Sequence, residues 1–359
     1  MKKKRATMAA MVEGNLANIE TLPEDLLFKI LVRLPAHDIC HAAMLVCRKW
    51  CNLIRNNNFK SAHLQCVMPS GLLMQLIGTR QDLVFISRCQ GQIEVSKFSK
   101  NPKCMIGASC NGLVLGFVDG TEFPLHVVNP ATKRLFILPQ FFGGTVKRFE
   151  SGIAYAAASK QYKVALTYGR KFAILTLGVD QSWRRVPTRN LSASAEKPSS
   201  VHVLTTEGFV HWAPSPPHGR QVMTLDVETE IVTETPFPLP QEKETKMFYF
   251  SAGKYLSLLI ARDELVWDVW EMKPKDGEWT ERLMIDMNAL KFPHNCNLHG
   301  IYPVGWIEYP DVVVFGTPGP NCIAYNIRTN ETDSIELCFP PSGSRFVAYK
   351  SSLVSSRGC

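Results

Sequence analysis

From Cys66 onward the chain repeats itself, and a repeat limits the possible folds more than any single motif does. The segment Val127-Val128-Asn129-Pro130-Ala131-Thr132 has echoes at Thr176-Leu177-Gly178-Val179-Asp180 and Thr224-Leu225-Asp226-Val227-Glu228-Thr229. Others are Val269-Trp270-Glu271-Met272 and Ala324-Tyr325-Asn326-Ile327-Arg328-Thr329. With Asn129, Gly178, Asp226, Glu271 and Asn326 taken as equivalent, the spacing is about 45–55 residues. In a second register Gly112, Gly208 and Gly253 introduce short apolar strands, and Asn111-Gly112 is a strong hairpin signal. A unit of this length fits one four-stranded propeller blade, which buries its faces against its neighbours; ring closure removes the exposed edges. Five units are expected, near 104–139, 151–188, 200–238, 247–286 and 298–338. The strand pieces left over, 82–98 and 345–354, join in a sixth, composite blade. A seven-bladed ring or an open β-sandwich is the competing architecture.

Before Cys66 the period is helical. Thr21 and Glu24 have capping-box spacing around Pro23, and Leu26, Leu27, Ile30, Leu31 and Leu34 form one broad apolar stripe up to Pro35. Asp38 is placed to cap a following helix carrying Ile39, Ala42, Ala43, Val46, Cys47 and Trp50. Two or three short helices in about 45 residues make a marginal core. The module has more apolar side chains than it can bury, which points to a partner surface. The expectation is an α+β multidomain chain: a basic tail over 1–17, a helical module over 18–65, a connector over 66–81, a propeller over 82–354 and a flexible end over 355–359. Leu72, Leu73, Leu76 and Ile77 make that connector a docked one.

These residues resemble known modules. Leu22-Pro23-Glu24-Asp25-Leu26-Leu27, Ile30-Leu31-Val32-Arg33-Leu34-Pro35 and Val46-Cys47-Arg48-Lys49-Trp50 are similar to the F-box. Ser109-Cys110-Asn111-Gly112-Leu113, Asn129-Pro130-Ala131-Thr132-Lys133, Gly208-Phe209-Val210-His211-Trp212, Asp268-Val269-Trp270-Glu271-Met272 and Ser352-Leu353-Val354 resemble the kelch-like F-box-associated domain of plant F-box proteins. The resemblance implies a non-catalytic substrate receptor of a Skp–cullin–F-box ubiquitin ligase. Leu22, Pro23, Leu26, Leu27, Ile30, Leu31, Leu34 and Pro35 would then meet the Skp-type adaptor, and through it the cullin and RING subunits, while Val46 and Trp50 knit the module together. The propeller would hold a target protein. A propeller scaffold or carbohydrate-binding protein outside any ligase is the alternative, and a propeller hydrolase a more distant one.

Little in the sequence speaks for catalysis. There is no phosphate-cradling loop and no G-x-S-x-G elbow, so no cofactor is expected. His294-x-Cys296-x-x-His299 lacks a fourth ligand at zinc spacing, so no metal is expected. Asp263-Glu264 reads as a hairpin turn rather than a glycosidase pair, and His211 as a structural histidine on a strand. Half of the net charge of +8 sits in Lys2, Lys3, Lys4 and Arg5, so no nucleic-acid partner is expected. No apolar run reaches the roughly 20 residues of a membrane helix, and no secretory signal follows the basic start. The 11 cysteines show no C-x-x-C pair, which fits reduced thiols and a place in the nucleus and/or cytoplasm. The long inter-strand loops gather on one face of a propeller, and there Phe123, Phe141, Phe142, Arg170, His218 and Arg220 are the candidate target contacts.

Overall fold

The structure, a computed structural model, describes residues 22–66, 70–76, 83–98, 104–117, 125–141, 149–169, 171–188, 191, 201–214, 221–238, 246–288, 300–337 and 341–355. The helices are α1 (Glu24–Leu31), α2 (Ala36–Asp38), a π-helical stretch (Ile39–Ala43), α3 (Met44–Val46), α4 (Arg48–Arg55) and α5 (Asn57–Gln65). The helix boundaries differ from the sequence reading. Pro23 stands at the N-cap of α1 and Thr21 lies outside the described residues. Asp38 caps nothing, because Pro35 starts α2 and the chain runs on from it into the π-helical stretch. Only Asn56, before α5, caps with its side chain among these helices, accepting from the Asn58 N–H at 2.9 Å.

Strands follow in chain order: β1 (Ser70–Leu76), β2 (Leu83–Cys89) and β3 (Gln92–Lys97), then β4 (Met105–Cys110), β5 (Leu113–Phe117), β6 (Leu125–Asn129) and β7 (Arg134–Ile137). The next blade holds β8 (Glu150–Ala156), β9 (Gln161–Tyr168), β10 (Lys171–Thr176) and β11 (Arg184–Val186). After it come β12 (Val201–Thr206), β13 (Phe209–Pro214), β14 (Gln221–Asp226) and β15 (Ile231–Pro236). Then follow β16 (Met247–Ala252), β17 (Tyr255–Ala261), β18 (Val266–Lys273) and β19 (Glu278–Asp286). The last are β20 (Tyr302–Glu308), β21 (Val312–Gly316), β22 (Asn321–Asn326), β23 (Glu331–Glu336) and finally β24 (Ser344–Lys350). They form six four-stranded antiparallel sheets, five from consecutive strands and the sixth in the order β24-β1-β2-β3. The fold is therefore a six-bladed propeller closed by strands from the two ends of the domain, as the leftover strand pieces implied.

The connector is corrected. Residues 70–76 are not a link between modules but the second strand of the closing blade, with Leu73 paired to Val347 on one side and Phe85 on the other. The five central residues of β1 are all buried, so the strand reads as a continuous apolar run without alternation. Ile77 lies outside the described residues.

Each junction between neighbouring blades has its own apolar cluster, including the junction of the closing blade with β4–β7, where Leu73, Phe85 and Tyr349 meet Ile106, Val114 and Val128. The repeat has a physical cause at its turns. Asn129, Asp226 and Asn326 each end the third strand of a blade, and each carboxamide or carboxylate oxygen accepts from the N–H groups two and three residues on. The corresponding strands β10 and β18 end at Thr176 and Lys273, so Gly178 and Glu271 sit two residues out of register with the other three. Asn111 and Gly112 form the expected tight turn with φ of 49° and 83°.

Candidate functional site

α1 is amphipathic, and its two sides meet different surroundings. Leu27 and Leu31 are fully buried in a core with Ile39, Trp50, Ile54 and Phe59. That core also contains Ala131, from the β6–β7 turn, and Leu353, from the segment after β24. The helical module is thus built onto the propeller. Two polar contacts accompany the packing: Lys350 Nζ donates to the Leu64 carbonyl at 2.8 Å, and His63 Nε2 lies 3.0 Å from the Leu34 carbonyl. Burial lowers the pKa of His63, so the neutral ring donates to that carbonyl.

The other side of α1 carries Leu26, 43% exposed, and Ile30, 46% exposed, one turn apart. Pro23 is exposed beside them, and Leu22 is half-buried with its carbonyl accepting from Lys49 Nζ at 3.1 Å. Leu34 is half-buried against the core and Pro35 is exposed. The adaptor-facing set expected from the sequence therefore divides. Leu27 and Leu31 cannot face a partner because the module's own core covers them, leaving Pro23, Leu26 and Ile30 on the outer face.

Val46 is also corrected: it is 54% exposed and does not knit the module, whereas Trp50 is buried as expected. Cys47 breaks the helix in an extended conformation, turning the end of α3 outward. Leu45, 77% exposed, is the residue that sequence reasoning missed. The adjacent pair Leu45-Val46 was the available signal, because two consecutive apolar residues cannot both sit at the centre of one helical stripe.

The two faces of the propeller differ in use. Tight hairpins such as Asn111-Gly112 and Asn129–Lys133 lie on the side that receives the helical module. Of the six candidate target contacts, Phe141 is described; Phe123, Phe142, Arg170, His218 and Arg220 lie outside the described residues. Phe141 is half-buried, with ring centroids 4.8 Å from Tyr168 and 6.0 Å from Trp183. Trp183 Nε1 in turn donates to the Pro139 carbonyl at 2.8 Å. Phe141 thus packs against aromatic side chains of the β8–β11 blade.

Inner strands from all six blades surround an axial channel of about 810 Å³, lined by Ile106, Glu150, His202, Tyr249, Trp306 and Arg345 among others. The polar residues that invited catalytic readings have structural tasks. His211 is fully buried, with Nε2 2.8 Å from Thr206 Oγ1 and Nδ1 2.9 Å from Thr224 Oγ1. Burial pushes its pKa down to about 3, so the ring stays neutral and bridges two hydroxyls. Asp263 Oδ1 accepts from the Glu264 N–H at 2.7 Å within the β17–β18 hairpin. Among the described residues no group of His, Cys, Asp and Glu could hold a metal ion; His294, Cys296 and His299 fall outside them.

With this geometry in hand, the similarities to known proteins are direct. Residues 72–337 match the F-box associated beta propeller domain, and residues 19–63 match the F-box-like domain. An F-box protein of Arabidopsis thaliana is 23% identical over 306 residues, covering 79% of this chain and 82% of the relative. Another from the same plant is 26% identical over 279 residues, covering 66% and 65%. In overall shape the chain is similar to TolB from Acinetobacter baumannii, at a TM-score of 0.45 and 9% identity over 84% of this chain and 72% of that one. That likeness is too slight to bear on function. The chain belongs to the F-box associated β-propeller family and carries an F-box-like helical module ahead of its propeller.

Proposed function

We propose that this protein is the substrate-recognition subunit of a Skp–cullin–F-box ubiquitin ligase. F-box proteins are in general adaptors rather than enzymes, and an F-box module implies an Skp-type partner. The observation that carries the reading is the division of α1: Leu27 and Leu31 are buried in the core that the module shares with the propeller, while Leu26 and Ile30 remain outside. An Skp-type adaptor would cover Pro23, Leu26 and Ile30, with Leu45 and Val46 as further apolar contacts. The adaptor brings the cullin and RING subunits, and the propeller's loop face holds the target protein. The chain then acts by tethering, raising the effective concentration of target lysines near the ubiquitin donor. A shared core between the modules supports this reading, because a fixed angle keeps that concentration high. Nucleus and cytoplasm are the compartments in which we place it. The test is capture of the full chain by a purified Skp-type adaptor, comparing wild type with Leu26→Asp/Ile30→Asp. Equal recovery of the two would defeat the proposal.

A further inference from the structure

The channel has two unlike ends. All six inner strands run from the loop face toward the tight-turn face, so their first residues surround the mouth opposite the helical module. Arg345, second in β24, and His202, second in β12, both line that mouth, on blades three apart in the six-bladed ring. Phe117 ends β5 at the same mouth, and Phe149 precedes β8.

Arg345 is exposed, yet its guanidinium is held in place. Its Cζ stands 5.1 Å from the Phe117 ring centroid and one terminal nitrogen lies 3.5 Å from the Ile106 carbonyl. Among the described residues lining the channel it is the one Lys or Arg. Glu150, the lining acid, is already partnered. His202 is kept neutral by the surrounding protein and adds a polar group without charge. Deeper along the same strand Thr205 Oγ1, on a residue about nine-tenths buried, has no partner among the described residues. The volume is that of a small-ligand site, mostly apolar with a few convergent polar groups.

We infer that the loop-face mouth of the channel binds a carboxylate carried on an apolar body, with Arg345 as its anchor. A guanidinium fork matches a carboxylate in two parallel hydrogen bonds, and the aromatic wall takes the apolar part. A single cation suits a monoanion better than a phosphate, which recruits clustered charge. The carboxylate has two possible sources, a free small acid or the C-terminus of a target protein. The biological meaning of the second rests on the receptor reading above.

The test is calorimetric titration of the full chain with 3-phenylpropionate, with an acetylated peptide ending in Phe with a free carboxylate, and with that peptide's C-terminal amide. Saturable binding of at least one acid, weakened about tenfold or more in Arg345→Gln and, for the peptide, in its amide as well, is the expected result. Arg345→Lys keeps the charge without the fork and should fall between. Binding of the peptide alone identifies a protein terminus as the source, and binding of the small acid alone a free ligand. Equal affinity of acid and amide, an unaffected Arg345→Gln chain of unchanged melting temperature, or no saturation by either acid at about 1 mM overturns the inference. Adaptor capture is measured on the same preparations. Its loss with carboxylate binding retained defeats only the receptor reading, and the reverse defeats only the channel site.

Discussion

Asn129 and Ser352, 223 residues apart, are joined by a hydrogen bond of 2.9 Å from the Asn129 Nδ2 to the Ser352 carbonyl. The same nitrogen donates to the Val354 carbonyl at 2.8 Å, while the side-chain oxygen holds the turn by accepting from Ala131 at 3.0 Å. Ser352 Oγ donates to the Asn111 carbonyl, and Gly112 leaves room for it: a Cβ there would lie 2.3 Å from that hydroxyl. Between Ser352 and Val354, Leu353 enters the core of the helical module beside Ala131. One latch therefore ties the segment after β24 to the neighbouring blade and seats the helical module.

Asn129→Ala removes two buried hydrogen bonds and the turn's side-chain acceptor, and should destabilise the chain by about 2–4 kcal/mol. Urea unfolding measures it. A change below about 0.5 kcal/mol would show that the latch contributes nothing to stability.

The two sides of α1 should respond oppositely. Leu26→Asp alters an exposed position and should leave the melting temperature nearly unchanged while abolishing adaptor capture. Leu27→Ala opens a cavity in a fully buried site and should cost about 2–5 kcal/mol. Thermal denaturation beside capture separates the two effects, and a cooperative, unshifted melt for Leu27→Ala would contradict the assignment of the core.

Glu230 binds two cations across the junction between the β8–β11 and β12–β15 blades. It accepts from Arg184 at 2.7 and 2.8 Å and from Lys163 at 2.9 Å. The Arg184 hydrogen bonds hold its carboxyl at about 2, with Lys163 adding to the shift. Because Lys163 is 6% exposed, Glu230→Gln strands a buried ammonium and should cost about 1–3 kcal/mol. Adding Lys163→Met should restore part of that loss in denaturant unfolding. A double variant no more stable than Glu230→Gln would mean that the buried charge is not the cause.

His211 makes stability depend on pH in a stated direction. Its native pKa of about 3 lies below the ordinary 6.5, so between these values the unfolded chain takes up a proton that the native chain does not. The contribution is present above about pH 6.5 and is lost as pH falls toward 3, at up to about 1.4 kcal/mol per pH unit. Wild type should therefore lose more stability from pH 7 to about pH 4 than His211→Gln, in parallel urea titrations. His63, His126 and His202 are lowered too and contribute to both chains, so the difference between the slopes carries the prediction.

Much of the fold was legible because its signals are local. Asn129, Asp226 and Asn326 mark the same turn in three blades, and each does so with its own side chain and the next few backbone amides. Residues 70–76 were misread because a strand covered on both faces loses the alternation that identifies strands. Val46 was misassigned because the helical period was carried across Cys47, where the backbone turns extended. The channel gave no signal at all, since its wall is assembled from short runs on six inner strands far apart in the chain.

The amino-acid sequence alone determined that a helical module precedes a β repeat of blade length and that the first helix has more apolar surface than its module can hide; it suggested a composite closing blade, and the structure decided for it over a seven-bladed ring or a sandwich. Those properties follow from periodicity and turn chemistry, which act over a few residues. Tertiary structure alone decided that Leu27 and Leu31 turn inward while Leu26 and Ile30 stay outside, and that Arg345 and His202 line the same mouth of the channel. A helical stripe is set by spacing, but which of its flanks is covered depends on what packs there. Here that is the module's own core of Ile39, Trp50, Ile54 and Phe59, to which Ala131 and Leu353 are added by a ring whose ends are far apart in the chain.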